Sequence, residues 1–110
     1  MKKTKIETYF RGVIESGEGY ELGEVCGELW AIQKRPRGRF RVVHVNSGHH
    51  VGSELMNEAG KPVRSVKDAE RYARELIVMT YKSIGADNFY EAIAKGNAKM
   101  NEARAKARAA

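Results

Sequence analysis

The first part of the chain alternates apolar and polar residues, as half-buried β-strands do. Residues 6–14 begin with strict alternation and predict a first strand. Turn-forming residues fill positions 16–19, which predicts a turn there, and residues 20–26 predict a second strand. Gly23 within that second strand indicates a bulge or a close backbone approach rather than regular pairing.

The middle of the chain predicts a β-hairpin. Its two apolar runs, 29–32 and 40–45, are rich in the aromatic and β-branched residues that suit a pleated surface. Between them, Pro36 fits the second position of a β-turn, and Gly38 can take the positive φ that a type I turn with a G1 bulge requires. A further short strand is predicted at 49–56.

Beyond the hairpin the apolar period changes from two to about 3.6, which is typical of an amphipathic helix. Ser65 fits an N-cap because Asp68 follows three residues later, and Gly85 is placed to end the helix. The apolar stripe comprises Val66, Ala69, Ala73, Leu76, Ile77, Thr80 and Ile84. We expect this helix to cover one face of the sheet, with Trp30 and Phe40 of the hairpin beneath it.

A second helix is predicted from Asp87 onward. Its apolar residues recur at roughly heptad spacing: Phe89, Ile93, Met100, Ala103 and Ala107. Gly96 interrupts this seam, and most of the later apolar residues are alanines, which bury little area. The segment is predicted either as a solvated helical tail or as a helix that packs on a partner, such as a second copy in a homodimer or nucleic acid.

These elements predict the α+β fold class, with an antiparallel sheet of three to five strands packed by one main helix and followed by a C-terminal helix. Residues 1–86 form the predicted sheet-plus-helix domain, and residues 87–110 form a basic, alanine-rich helix or tail. A chain of 110 residues is long enough for one such domain with its own core.

The net charge of +6 is concentrated in the predicted hairpin. Residues 31–50 contain five cationic side chains and no acidic one: Lys34, Arg35, Arg37, Arg39 and Arg41. A focused basic patch attracts polyanions, and arginine binds phosphate through paired hydrogen bonds. The sequence therefore predicts a non-catalytic nucleic-acid-binding module, with DNA favoured over RNA and with Lys106 and Arg108 as auxiliary contacts. The competing interpretation of the charge run is a solvated turn that protects a sheet edge against aggregation.

Candidate catalytic and metal chemistry finds little support in the residues. His44, His49 and His50 match no metal-binding spacing, since adjacent histidines on a strand point to opposite faces. There is no glycine-rich phosphate loop and no Ser-His-Asp signature, and Cys26 is the single cysteine. We expect no enzyme activity, no cofactor and no metal.

The longest strongly apolar run, residues 76–79, is far too short to cross a bilayer. No apolar stretch of the kind found in signal peptides follows the first three residues. The sequence therefore predicts a cytoplasmic protein without a membrane partner.

A second function class fits the same composition. A short, basic chain with one cysteine also suits a phage- or plasmid-encoded accessory protein that inhibits a host nucleic-acid-handling complex, as anti-CRISPR and other counter-defence proteins do. In that case the partner is a host protein complex, and the protein would occupy that complex's own anionic or nucleic-acid-facing surface.

Two resemblances to known families involve the hairpin and the helix that follows it. Residues 30–40 with residues 65–70 resemble, in outline, the three-strand-plus-helix DNA-binding modules of plant ethylene-response factors and of integrase arm-binding domains. That resemblance implies that the sheet enters the major groove, and it assigns base or phosphate contacts to Arg35, Arg37, Arg39 and Arg41. Residues 40–54 with residues 68–70 are also similar to the small YegP-like domain, from which about six extra residues before the helix depart.

Overall fold

The computed structural model describes residues 1–109, which form a sheet followed by two helices. The strands are β1 (Lys3–Phe10), β2 (Val13–Val25), β3 (Glu28–Arg35), β4 (Arg39–His44) and β5 (His50–Val51), and the helices are α1 (Val66–Ile84) and α2 (Ala86–Ala109). The five strands are antiparallel and lie in the order β1-β2-β3-β4-β5. The predicted α+β fold is confirmed. Neither helix in this part of the chain is long and apolar enough to cross a membrane.

The main core lies between the β3–β4 hairpin and α1. Trp30 and Ile32 of β3 share one face with Phe40 and Val42 of β4, because alternate residues of paired strands point the same way. All four are buried together with Ala69, Ala73 and Ile77 of α1 and with Phe89 of α2. The prediction that Trp30 and Phe40 are core residues under the helix is confirmed. Their direct cross-strand partners are His44 and Lys34, respectively.

The opposite face of the β3–β4 hairpin is covered by β1. Ile6 of β1 packs on Ala31 and Val43 in a second, smaller buried cluster. The Tyr9 amide donates to the Gly48 carbonyl at 2.9 Å, although β1 and the β4–β5 loop lie at opposite ends of the strand order. The sheet is therefore curled so far that its first strand folds over the middle of its own inner face.

The turn predicted at residues 16–19 is wrong, because these residues lie inside β2. The chain reverses instead at Arg11 and Gly12, both of which have positive φ. Gly19 is needed for a different reason than a turn, since a Cβ atom there would lie 2.5 Å from the Ile32 carbonyl oxygen. Glycine permits this close approach of the β2 and β3 backbones.

The predicted ends of α1 are confirmed. The Ser65 side chain accepts a hydrogen bond from the Asp68 amide at 3.1 Å, and Gly85 follows the last helical residue with a φ of 87°. The strand predicted at residues 49–56 is shorter, because pairing is limited to β5 and a single bridge between Met56 and Pro62.

The second helix packs on its own sheet. Its buried residues are Phe89, Gly96, Met100 and Ala103, whereas Ala107 is exposed. The prediction that Gly96 interrupts the packed seam is wrong, because Gly96 is itself buried. A Cβ atom there would lie 3.1 Å from that of Ser47, so glycine lets α2 approach the β4–β5 loop closely. Association of two copies through this helix stays a prediction.

Candidate nucleic-acid interface

The register of the hairpin separates its five cations into groups. Arg35 pairs with Arg39 across the strands and Gln33 pairs with Arg41, so these side chains lie on the face away from α1. Lys34 pairs with Phe40 and lies on the helix-covered side. The predicted cluster is therefore not one row of charges but a group of arginines on one face, with a lysine on the other.

Arg37 occupies the tip of the hairpin in an unusual conformation. Its φ and ψ are 67° and 23°, and Gly38 follows with a φ of 68°. The positive φ of Gly38 was predicted, but the type I turn was wrong, because that turn requires negative φ at Arg37. A left-handed conformation costs a non-glycine residue roughly 1–2 kcal/mol. The exposed Arg37 side chain is thus held at the tip at some cost in backbone energy.

Arg39 differs from the other hairpin cations because it has an acidic partner. Its guanidinium Nη1 lies 2.8 Å from Glu54 Oε2, and both side chains are about one third exposed. The two charges largely neutralise each other. Of the predicted contacts, Arg39 is therefore the one least free to bind an external anion.

Arg41 is half-buried and is oriented by a hydrogen bond from its Nε to Gln33 Oε1 at 2.5 Å. Burial lowers the pKa of Arg41, and the nearby positive charge of Arg35 lowers it further, while Glu15 and Glu54 oppose the shift. Arg41 remains charged at neutral pH because arginine starts from a very high pKa. A phosphate placed between Arg35 and Arg41 would offset their repulsion.

Arg35 lines three cavities, and two of them lie on opposite sides of the hairpin. The larger has a volume of about 550 Å³ and is lined by Lys3, Glu18, Tyr20 and the hairpin segment from Lys34 to Gly38. The smaller has a volume of about 230 Å³ and is lined by Thr8, Phe10, Val13, Glu15, Arg35, Arg41 and His50. Cationic side chains therefore border concave surfaces on both sides of the hairpin.

Two cations of this surface were missed by the sequence analysis. Arg64, which precedes the N-cap of α1, donates from Nη1 to the Arg37 carbonyl at 2.8 Å. Lys3 reaches the larger cavity from the start of β1. Both residues are distant from the hairpin in sequence, and only the fold brings their charges to it. A basic residue beside a predicted N-cap was the one available signal for Arg64.

The cations predicted near the C-terminus do not join this surface. The Lys106 ammonium lies 3.1 Å from Glu102, one turn earlier on α2, and Arg108 is exposed in the last turn. Within residues 1–109, neither forms a hydrogen bond or an ion pair with the hairpin. Arg104 is the basic residue of α2 that reaches the sheet, through an ion pair with Glu7 of β1 at 3.1 Å.

A buried polar chain links the start of β3 to the β4–β5 loop. His44 Nε2 lies 2.7 Å from Glu28 Oε1, and its Nδ1 lies 2.7 Å from Ser47 Oγ. The Ser47 amide also donates to Nδ1, so the ring proton is on Nε2 and faces the carboxylate. The Ser47 hydroxyl oxygen in turn accepts from the His49 amide.

This Ser-His-Glu arrangement was missed because Glu28 lies 16 residues before His44, and only the pairing of β3 with β4 brings the two together. Ser47 is only 2 % exposed, and α2 crosses it at Gly96. His44 and Ser47 also line a cavity of about 210 Å³ beside α1 and α2, but the Ser47 hydroxyl is engaged by His44 Nδ1. We interpret the chain as a polar tie that satisfies buried groups and fixes the loop on which α2 packs.

The other two histidines make local contacts. His49 stacks on Tyr9 with ring centroids 4.6 Å apart, and its Nδ1 donates to the Ser47 carbonyl. His50 donates from Nδ1 to the Gly52 carbonyl, which leaves Nε2 as its free ring nitrogen. In the portion of the chain that the structure covers, no three potential ligands are grouped as a metal site would require.

The geometry of the hairpin is compatible with contact to an anionic polymer. The five-stranded sheet departs from the three-strand DNA-binding modules with which residues 30–40 were compared, because β1 covers the middle of the face that would enter a groove. Comparisons of the chain with protein-family models, with curated proteins and with solved structures found no significant match.

Proposed function

We propose that this protein is a non-catalytic nucleic-acid-binding module that contacts the phosphate backbone through the β3–β4 hairpin. The observation that carries the proposal is a contrast between cations. Arg71, Arg74 and Arg104 all form ion pairs with carboxylates. Among residues 1–109, Arg35, Arg37 and Arg41 have no such pair and lie together on one hairpin, which the likewise unpaired Arg64 also contacts. Within the same range, Arg11 and Arg108 also lack an ion pair, but they lie outside this hairpin.

Physical chemistry supports a polyanion as the partner. Like charges held near one another repel, and an anion that binds between them removes that repulsion while forming charge-assisted hydrogen bonds. Lys34, Arg35, Arg37 and Arg41 are the unpaired hairpin cations that we assign to phosphate contacts.

The salt dependence of binding tests this assignment. If those four cations each neutralise one phosphate, the slope of log K against log salt concentration should be about −3.6 on duplex DNA and about −2.8 on a single strand. Fluorescence polarisation of labelled duplex DNA, single-stranded DNA and RNA at several salt concentrations measures the slope. The double variant Arg35→Ala with Arg37→Ala should reduce its magnitude by about 1.8 on duplex DNA.

A matched control removes the same charge elsewhere. Lys82 of α1 and Lys99 of α2 are exposed on the helices, and their double alanine variant should alter the slope much less. Absence of salt-dependent binding by the native protein would overturn the proposal. Equal losses in the hairpin and control variants would instead show that only net charge matters.

One observation favours the second candidate, an inhibitor that binds a host protein complex. Leu29 is 52 % exposed and Val45 is 38 % exposed, and they border an apolar cavity of about 270 Å³ beside Ile6. Inhibition through this surface would survive the double variant Arg35→Ala with Arg37→Ala. It would be lost in Leu29→Ser.

A further inference from the structure

The tip of the β1–β2 hairpin carries an aromatic side chain that the core does not use. Phe10 is 63 % exposed, and its cross-strand partner Val13 is 57 % exposed. The Arg11 guanidinium lies 5.1 Å from the centroid of the Phe10 ring, which places a cation against the aromatic system. Phe10 and Val13 therefore form an exposed apolar patch beside a cation.

The orientation of Phe10 follows from the strand to which it belongs. Ile6, Thr8 and Phe10 alternate on β1 and share one side, and the first two are buried against the sheet. Phe10 continues this row beyond the point where the covering ends. It lines the cavity of about 230 Å³ that Arg35, Arg41 and His50 also line.

The cavity thus combines a stacking surface with paired cations. Arg41 is fixed by its hydrogen bond to Gln33, and Arg35 is its diagonal neighbour on the adjacent strand. The free Nε2 of His50 supplies a further polar atom at the rim. Proteins that bind single strands use this combination, because aromatic rings stack with unpaired bases while cations follow the backbone.

We propose that this cavity binds single-stranded nucleic acid, with a phosphate between Arg35 and Arg41 and one unpaired base stacked on the Phe10 ring. The inference rests on the proposed function and narrows its substrate class. A base within a duplex already has neighbours on both faces, so it cannot stack on Phe10 unless the helix opens.

Polarisation titrations with a labelled single strand, its duplex and an abasic strand of the same length test the proposal. Phe10→Ala should weaken binding of the normal single strand by about tenfold, as expected for loss of one stacked base. It should change duplex binding by less than about twofold. The native protein should bind the abasic strand about as weakly as Phe10→Ala binds the normal strand, since each lacks one half of the stack.

Further variants separate stacking from simple loss of apolar surface. Phe10→Tyr should retain tight single-strand binding, whereas Phe10→Leu should lose it while preserving apolar volume. Phe10→Trp adds a spectroscopic measurement, because its indole fluorescence should be quenched by the normal strand and not by the abasic strand. Met79→Ala removes a comparably exposed apolar side chain from α1 and should leave binding unchanged.

The outcomes distinguish this inference from the proposed function. If the native protein binds no nucleic acid, both fail. If it binds both forms with the expected salt slope, but Phe10→Ala and Phe10→Leu match the native protein on the single strand, only the stacking site is overturned. Equal losses on single strand and duplex would overturn the restriction to unpaired bases.

Discussion

The two faces of the β3–β4 hairpin are closed in different ways. Helix α1 covers one face with Ala69, Ala73 and Ile77, which are fully buried. Strand β1 covers the other face only in its middle, where Ile6 meets Ala31 and Val43. The ends of this second face remain accessible, one of them apolar and the other cationic. A sheet face that is only partly covered can therefore stabilise the fold and still present a binding surface.

The largest effect should come from the helix-covered face. Ile77→Ala should lower the free energy of unfolding by about 2–4 kcal/mol. The native side chain has no exposed surface, so its truncation leaves a cavity in the core. Arg35→Ala on the open face should change the free energy of unfolding by no more than about 0.5 kcal/mol. Urea denaturation monitored by the fluorescence of the buried Trp30 measures both.

Met79→Ala is the control on the same helix, since that side chain is 62 % exposed. Its expected effect is within about 0.5 kcal/mol. If Met79→Ala proved as destabilising as Ile77→Ala, the orientation of α1 on the sheet would be wrong. The free energies of unfolding would then not distinguish the helix-covered face from the open face.

The next effect concerns the curl that brings β1 over the open face. Gly19→Ala should destabilise the protein by about 1–3 kcal/mol, because the added Cβ would meet the Ile32 carbonyl at 2.5 Å and Ile6 Cδ1 at 3.0 Å. Gly17→Ala, two residues earlier on the same strand, would meet only Gln33 Nε2 at 4.0 Å. Thermal melts of this pair should therefore differ clearly, whereas equal melting temperatures would argue against the close approach of β2 and β3.

The helix-covered face could be predicted from sequence because its signals are local. Apolar periodicity placed α1, the spacing of Ser65 and Asp68 gave its start, and Gly85 gave its end. The aromatic character of Trp30 and Phe40 within the two hairpin runs likewise indicated that they are buried. Each of these signals acts over a few residues of the chain, so tertiary structure did not need to be known.

The open face could not be predicted in the same way. Residues 16–19 have the composition of a turn, yet they lie within β2, and Gly19 permits a close strand approach that no local pattern encodes. Arg64 and Phe10 reach the hairpin from distant parts of the chain. The basic composition of the site was evident from the sequence, but the neutralisation of Arg39 by Glu54 was not, since strand register decides which acid meets which cation.

A smaller effect on stability should come from that ion pair. Glu54→Gln should change the free energy of unfolding by only about 0–1 kcal/mol, as is usual for a partly exposed pair. Glu54→Gln should nevertheless tighten nucleic-acid binding, because it releases Arg39 beside Arg41 and removes a negative charge. If Arg39 then contacts a phosphate, the salt slope should steepen by about 0.9 on duplex DNA or about 0.7 on a single strand.

Glu91→Gln provides the matched control for Glu54→Gln. It also breaks one ion pair and raises the net charge by one, but its partner Lys95 lies on the exposed surface of α2. Tighter binding in Glu54→Gln alone would show that the hairpin cations act locally. An equal gain in both variants would mean that a nucleic acid senses only the total charge of the protein, and the open face would then have no special role.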